Sequence, residues 1–187
     1  MKKIIYIILL FIFIVNTYAS EFDFRQVNWG ITKQQTMSIE NSQLILDDND
    51  VIFYKTNILN KDCILSYEFH EDKLINAMYQ FKIQHKDKNQ YITDFLTIRD
   101  SLIQKYGQPT NSEIIWLNNL YRNEPENLGL AISMGHVKYK THWENNITEI
   151  MLDLYGHNFN IDIGVVYNPH WAIELMNQVA KDQLDQL

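Results

Sequence analysis

Cysteine is almost missing from this chain, in which Cys63 is the single example among 187 residues. One cysteine cannot form an intramolecular disulfide, so an exported form of the protein must be stabilised by packing. That composition fits a bacterial periplasm better than a cysteine-dense secreted module of a eukaryote. It also excludes a C-x-x-C redox or zinc motif.

Recognisable catalytic motifs are also missing. The chain contains no G-x-S-x-G, no H-E-x-x-H and no glycine-rich phosphate loop. The sequence therefore predicts no catalytic residue and no cofactor, and it gives no positive support for an enzyme.

Long hydrophobic runs are limited to one, Ile4–Val15, which follows Lys2 and Lys3. As a helix this run would be about 18 Å long, well short of the ~30 Å hydrocarbon core of a bilayer. Together with Ala19, these features predict a cleaved signal peptide at 1–19, with cleavage after Ser20 as the alternative. We expect a periplasmic or secreted bacterial protein without a stable membrane anchor after cleavage.

Positive charge is scarce in the predicted mature chain. Removal of residues 1–19 takes away Lys2 and Lys3 and no acid, so 16 basic and 23 acidic residues become 14 and 23. The formal charge moves from −7 to −9. Because nucleic-acid binders need clustered Lys and Arg, nucleic acid is excluded as an expected partner.

The first part of the mature chain predicts a helix followed by strands. Thr32 with Gln35 three residues later fits a capping box, which predicts a helix from about Lys33 to Glu40. A strand is predicted at Val51–Ile58, and hydrophobic alternation on both sides of His70–Lys73 predicts an antiparallel hairpin. The alternating residues are Cys63, Leu65, Tyr67 and Phe69, then Ile75, Ala77, Tyr79, Phe81 and Ile83.

The second part of the chain repeats that order. Between Tyr91 and Tyr106 hydrophobic residues recur at three- and four-residue steps, and Gly107 and Pro109 follow, which predicts a helix that ends there. Strands are then predicted at Glu113–Leu117, Leu128–Ser133, Lys138–Trp143, Ile147–Tyr155 and Phe159–Tyr167.

The order of these elements predicts an α+β fold in which a helix is followed by an antiparallel β-meander. Two such units are expected, together with a C-terminal helix that starts around Asn168 and Pro169. We interpret residues 20–187 as a single domain, with a hypothetical pseudo-repeat of 20–88 and 89–187.

Two short segments carry a resemblance. Phe24–Thr32 resembles the opening F-R-x-V-x-W-G of a group of small exported bacterial proteins, and Lys105–Pro109 resembles their helix-ending K-Y-G-x-P. The predicted architecture is similar to that of the β-lactamase inhibitor protein and of the small lipoprotein of the outer-membrane assembly machinery. The group of small exported proteins is mostly uncharacterised, whereas the architectural resemblance implies binding rather than catalysis. The chain departs from the lipoprotein because it has no lipidated cysteine, and no inhibitor contact residue can be matched to it.

Candidate nucleophiles and metal ligands have simpler interpretations. Cys63 falls on the hydrophobic side of its predicted strand, where free cysteine is commonly buried. His136 and His142 would lie ~20 Å apart on one strand, too far to share an ion. Asp47–Asp50 lacks the glycine and glutamate of a calcium loop, so a polar turn is favoured. No metal site is predicted.

Aromatic residues supply the remaining candidates for a binding site. Trp29 and Trp143 could act as contact residues, because exposed aromatic rings bury large areas at low entropic cost. Tyr121 and Arg122 lie in a long polar loop between predicted strands, which favours a contact segment.

The function expected from the sequence is therefore a non-catalytic binding or inhibitory module that acts on another protein or an envelope component. The alternatives are an envelope hydrolase with an unrecognised site, or a carrier of a metal or small ligand. Side chains of His and Asp within hydrogen-bond distance of each other would count against a function limited to binding.

Overall fold

The computed structural model describes residues 23–184, so the predicted signal peptide lies outside the described residues. The first unit contains α1 (Lys33–Ile39), β1 (Gln43–Asp48), β2 (Val51–Ile58), β3 (Lys61–His70) and β4 (Lys73–Phe81). The second contains α2 (Gln90–Tyr106), β5 (Asn111–Trp116), α3 (Leu128–Ser133), β6 (Val137–Glu144), β7 (Thr148–His157) and β8 (Asn160–Pro169). A terminal helix, α4 (His170–Leu184), follows.

Within residues 23–184, eight strands form one antiparallel sheet with the order β1-β2-β3-β4-β8-β7-β6-β5. Each unit is a helix followed by a four-stranded meander, and the last strand of each meander, β4 or β8, pairs with the other at the centre. The first strands, β1 and β5, form the two edges. The predicted α+β class, with two helix-then-meander units and a C-terminal helix, is confirmed.

Two-residue turns fix the register of three hairpins. Leu59 and Asn60, Glu71 and Asp72, and Asn158 and Phe159 all have positive φ angles between paired strands. Two consecutive positive φ angles are typical of type I′ turns, whose twist matches that of the flanking strands. A fixed register matters because a shift of the pairing by one residue would move every side chain of a strand to the opposite face of the sheet.

One face of the sheet is buried. Alternate side chains of β3, β4, β6, β7 and β8 form a single hydrophobic cluster with residues of α2 and α3, among them Phe95, Ile98 and Ala131. Each fully buried side chain such as Leu65 or Leu152 contributes about 1.5–3 kcal/mol relative to an exposed one. The core therefore lies between one sheet face and a helical layer.

The helix ends follow the predicted capping. The Thr32 side chain accepts a hydrogen bond from the Gln35 backbone N–H at 3.2 Å, and the Gln35 side chain accepts one from the Thr32 N–H at 2.9 Å. At the end of α2, Gly107 has φ +83° and donates to Ile103 O at 2.9 Å. Glycine adopts this conformation without the penalty of a side chain.

The strand predicted at Leu128–Ser133 is wrong, because this segment is α3. A hydrophobic run of six residues does not by itself distinguish a strand from a buried helix. Tertiary contacts decide between them: the Gly129 N–H donates to the Asn89 side chain at 2.7 Å, and a Cβ at Gly129 would lie 2.3 Å from the Lys88 backbone. The helix can therefore pack directly on the start of α2.

One additional strand and one element boundary also differ from the prediction. β1 was not expected, although the predicted polar turn is present between β1 and β2 at Asn49 and Asp50. The terminal helix starts at His170, because β8 stays paired with β7 as far as Thr148 opposite Pro169. Asn168 is therefore a buried strand residue rather than an N-cap, and its side chain accepts a hydrogen bond from Asn76 at 2.7 Å.

Candidate functional site

The second face of the sheet carries half-exposed side chains, and we call it the open face. Its positions are those on the side of each strand opposite to the buried face. The buried face is hydrophobic, whereas this one mixes hydrophobic, charged and amide side chains. Such alternation is typical of an antiparallel sheet with one face packed on the core.

A row of three hydrophobic residues crosses the centre of the open face. Met78 on β4 is the direct partner of Val166 on β8, and Val166 is the partner of Met151 on β7. We call these three half-buried residues the central strip. Directly opposite residues in an antiparallel pair lie about 4.5–5.5 Å apart at their Cβ atoms, so the strip is continuous.

Acidic residues lie on one side of the central strip. Asp162 accepts a hydrogen bond from the Gln80 amide at 2.9 Å. Asp153 lies opposite Gly164 on one neighbouring strand and opposite Lys140 on the other. Burial raises the pKa of Asp153, an effect that the nearby charges of Lys140 and Lys138 oppose without cancelling.

Further acids lie on the other side of the strip. Glu144 and Glu149 are direct cross-strand partners on β6 and β7. His142 Nε2 lies 2.9 Å from Glu149 Oε1, although these atoms are not aligned for a hydrogen bond. The two side chains are therefore in close contact without a hydrogen bond between them.

The open face is acidic across the second meander. Carboxylates on β5 to β8 outnumber lysines, with Glu113, Glu144, Glu149, Asp153 and Asp162 against Lys138 and Lys140. Two concavities meet at Lys140: one of about 330 Å³, which also touches Leu117, Asp153 and Tyr155, and one of about 190 Å³, which also touches Glu113, His142 and Glu149. Together they form a shallow groove over β5, β6 and β7.

Trp29 and Trp143, two of the residues predicted to bind a partner, make hydrogen bonds that join separate parts of the fold. The Trp29 indole N–H donates to Thr148 Oγ1 at 2.8 Å, which joins the start of the chain to β7. Trp143 is only 3% exposed, and its indole N–H donates to Gly107 O at 2.9 Å, which joins β6 to the end of α2. The Trp143 ring therefore offers almost no surface to a partner.

Tyr121 and Arg122, the other two candidates, lie together beyond the end of β5. The Tyr121 ring stacks on His136 with centroids 6.0 Å apart, while the exposed Arg122 guanidinium lies 5.9 Å from the Trp116 ring. Leu117 and Leu120, which precede them, are 67% and 61% exposed. Since Leu117 also lines the groove, this loop borders the open face.

A separate polar network joins the segment before α1 to the end of α1 and to strands β3 and β4. Glu40, whose side chain is 3% exposed, accepts hydrogen bonds from the Tyr67 hydroxyl at 2.7 Å and from the Ser42 N–H at 2.9 Å, and it pairs with Arg25 at 3.1 Å. Arg25 also donates to the Tyr79 hydroxyl at 3.1 Å. Burial alone would raise the pKa of Glu40, but these contacts outweigh it and lower the pKa.

A second cluster joins the start of α2 to the sheet. The buried Asp94 contacts Lys61 Nζ through one carboxylate oxygen and His85 Nε2 through the other, each at 2.5 Å. Burial alone would raise the pKa of Asp94, yet the hydrogen bonds from Lys61 and His85 outweigh it and lower the pKa. Both oxygens of Asp94 are occupied by these contacts.

The candidate nucleophile Cys63 is buried, with Sγ 3.7 Å from Thr56 O. Burial raises the pKa of its thiol to about 11, so the reactive thiolate is rare at neutral pH. Across residues 23–184, no group of three His, Cys, Asp or Glu side chains is arranged to hold a metal ion.

The central strip was not identified from the sequence. The three residues lie at positions that alternate with the core residues of their strands. A single hydrophobic residue at such a position is common and does not by itself indicate a binding surface. The pairing of β4 with β8, which are separated by more than 80 residues, brings them into one row. A usable signal was available in β7, where Met151 stands between Glu149 and Asp153 on the polar face of the predicted strand.

None of the helices within residues 23–184 is long and hydrophobic enough to cross a membrane. Comparison with protein-family models, curated proteins and solved structures yields no match for this chain.

Proposed function

We infer that this protein is a non-catalytic binding module of the bacterial cell envelope, and that a basic surface of a partner protein docks on its open face. The observation that carries this proposal is the central strip, a hydrophobic row with carboxylates on both sides. The export of the chain in this proposal rests on the predicted signal peptide.

The arrangement supports binding because protein interfaces commonly have a hydrophobic centre and a polar rim. Methionine is unbranched and polarisable, so Met78 and Met151 can adapt to the shape of a partner. The strip lies on paired strands of a continuous sheet, which limits the conformational entropy lost on binding.

The charge of the open face favours a basic partner. Carboxylates such as Asp153 and Glu149 border the strip, and the predicted mature chain has a formal charge of −9. Complementary charge accelerates association and rejects acidic proteins. In this proposal, Tyr121 and Arg122 add contacts at the margin of the face, next to Leu117.

The proposal can be tested by crosslinking and capture from native envelopes, with residues 20–187 as bait. The informative variant is Met151→Lys, which removes a hydrophobic contact and adds a charge that repels a basic partner. Gln104→Lys, at an exposed position of α2, adds the same charge in the helical layer and serves as the matched control. Leu117→Ala, at a 67% exposed position that borders the groove, tests the contribution of the loop.

We expect one saturable partner with a basic surface, captured by the wild type and by Gln104→Lys but lost with Met151→Lys. Leu117→Ala should weaken capture without abolishing it, because it removes a hydrophobic contact and leaves the charge of the face unchanged. Capture that is equal for Met151→Lys and the wild type would contradict a role of the open face. A captured partner that is acidic would contradict the electrostatic part of the proposal.

A second candidate function, an envelope hydrolase, is favoured by the contact of His85 with Asp94. Such a pair could orient a general base. Against this role, Asp94 is also bound by Lys61, and Cys63 is turned toward Thr56 O. Hydrolysis of ester or peptide substrates that is lost in His85→Ala, in a variant of unchanged melting temperature, would support the hydrolase over the binding module.

A further inference from the structure

The edge strand β1 is unusually hydrophobic for its position. It pairs with β2 on one side only, and all six of its residues are exposed. Leu44, Ile45 and Leu46 are 45%, 52% and 51% exposed. Edge strands expose unpaired backbone groups, and proteins commonly protect them with lysine, proline or inward-pointing charges. β1 contains no lysine and no proline, and its protection is limited to a bulge after Leu44 and to Asp47 and Asp48 at its end, which leaves the three hydrophobic residues uncovered.

A β-bulge distributes these hydrophobic residues over both faces of the sheet. Leu44 lies opposite Tyr54 and Leu46 lies opposite Phe53, with the irregularity between them. Tyr54 is on the buried face and Phe53 on the open face. A strand added beside β1 would therefore cover hydrophobic surface on both sides.

The charge at one end of β1 restricts which strand could be added. Asp47 and Asp48 end the strand, and Asp50 lies in the following turn. Lys33 pairs with Asp47, whereas Asp48 and Asp50 make no ion pair within residues 23–184. Every strand pairing of this sheet is antiparallel, so we expect an added strand to run antiparallel to β1. Because the acids lie at the C-terminal end of β1, the N-terminal half of the added strand would lie opposite them.

We propose that β1 accepts an antiparallel strand from a partner protein whose N-terminal half is basic and whose C-terminal half is rich in β-branched or other hydrophobic residues. Backbone hydrogen bonds supply affinity in this mode of recognition, and side chains supply specificity. The strand lies at the far edge of the first meander, and the proposal does not depend on binding at the open face.

A second copy of this chain is a poorer occupant. In an antiparallel pair of two β1 strands, Gln43 of the second copy would lie opposite Asp48, so the second copy would place no basic residue of its own β1 against these acids.

The experiment measures fluorescence anisotropy of two labelled peptides added to residues 20–187. The probes are acetyl-KRTVTVT-amide and its reversed sequence, acetyl-TVTVTRK-amide, which have the same composition and charge. Ile45→Lys tests the edge. Ile114→Lys is the matched control, because Ile114 lies on the other edge strand and is 53% exposed.

We expect the basic-first peptide to bind at least ten-fold more tightly than the reversed one, and to slow amide exchange at 43–48. Ile45→Lys should weaken binding by ten-fold or more, while Ile114→Lys and Met151→Lys should leave it unchanged. Because Met151→Lys changes the open face, unchanged binding by this variant would show that the peptide binds at a different site.

Three results would overturn the proposal. The first is equal affinity for the two peptides, and the second is unchanged binding by an Ile45→Lys variant that melts at the wild-type temperature. The third is a dimer of the chain, seen by sedimentation equilibrium, that Ile45→Lys dissociates, since this would identify a second copy as the occupant.

Discussion

Met78 and Val166 are direct cross-strand partners where the two meanders of this protein meet. Only four residue pairs join β4 to β8, from Ala77 opposite Tyr167 to Gln80 opposite Gly164, whereas ten join β7 to β8. The middle of the open face is therefore held by few backbone contacts. Side-chain hydrogen bonds on both sides of the strip supplement them.

Asn76→Ala should weaken this junction between the meanders. The change leaves the buried Asn168 side chain without its hydrogen-bond donor, and an unsatisfied buried polar group costs about 1–3 kcal/mol. Urea unfolding measures the loss. Asn57→Ala, which removes an exposed hydrogen bond to Asp62, is the control and should change the free energy of unfolding by less than about 0.5 kcal/mol. Similar losses in both variants would argue against a special role of the junction.

Acid should remove part of the stability that Glu40 provides. Its folded pKa lies below the ordinary value of 4.5, so the ionised form stabilises the fold above that value. This contribution is lost as the pH falls through 4.5 toward the folded pKa. We expect the free energy of unfolding, measured by urea titration, to decrease over this interval.

Tyr67→Phe tests the same network. The variant loses the hydrogen bond from the Tyr67 hydroxyl to Glu40 and should be less stable than the wild type at pH 7. The difference should shrink in acid, because a protonated Glu40 accepts this hydrogen bond less strongly. Tyr155→Phe, at a 43% exposed position, is the control. A Tyr67→Phe difference that does not change with pH would contradict the assignment to ionised Glu40.

Gly156→Ala should be clearly destabilising. A Cβ at this position would lie 2.1 Å from the Ile132 backbone oxygen, so β7 and α3 would have to separate, at a cost of about 1–3 kcal/mol. Thermal unfolding compares it with Gly164→Ala, whose Cβ would meet only ordinary contacts at 3.6 to 3.7 Å. Equal melting temperatures for the two variants would show that α3 does not pack on β7 as described.

Cys63 should resist thiol reagents in the folded protein. Its side chain is buried and the pKa of the thiol is about 11, so little thiolate is exposed at pH 8. Labelling of the Cys63 thiol with a chromogenic disulfide reagent can be followed by absorbance. We expect slow labelling of the native chain and rapid, complete labelling in urea. Rapid labelling without urea would return Cys63 to the list of candidate nucleophiles.

Local patterns determined much of the secondary structure. The capping box at Thr32, the hydrophobic stripe that ends at Gly107 and the alternation around the turn at Glu71 all depend on neighbours within a few residues. Such signals can be read from the sequence because the interactions that produce them are themselves local. The helix-then-meander order, and with it the α+β class, follows from these elements.

The positions of β1 and α3 could not be read in that way. β1 is exposed on both faces, so burial imposes no alternation on its sequence, and the bulge at Ile45 interrupts what alternation remains. The helix at Leu128–Ser133 is selected by the close approach of Gly129 to Lys88, a contact between segments about forty residues apart.

The sequence by itself determined the helices with strong periodicity, most strands, the acidic charge and the absence of familiar catalytic motifs. Only the tertiary structure decided which residues share a surface: it paired β4 with β8, aligned Met78, Val166 and Met151, and turned Trp143 into the core. The physical reason is that strand partners are chosen by burial of the whole sheet face, which sums over residues far apart in the chain and cannot be read from the pattern of a single strand.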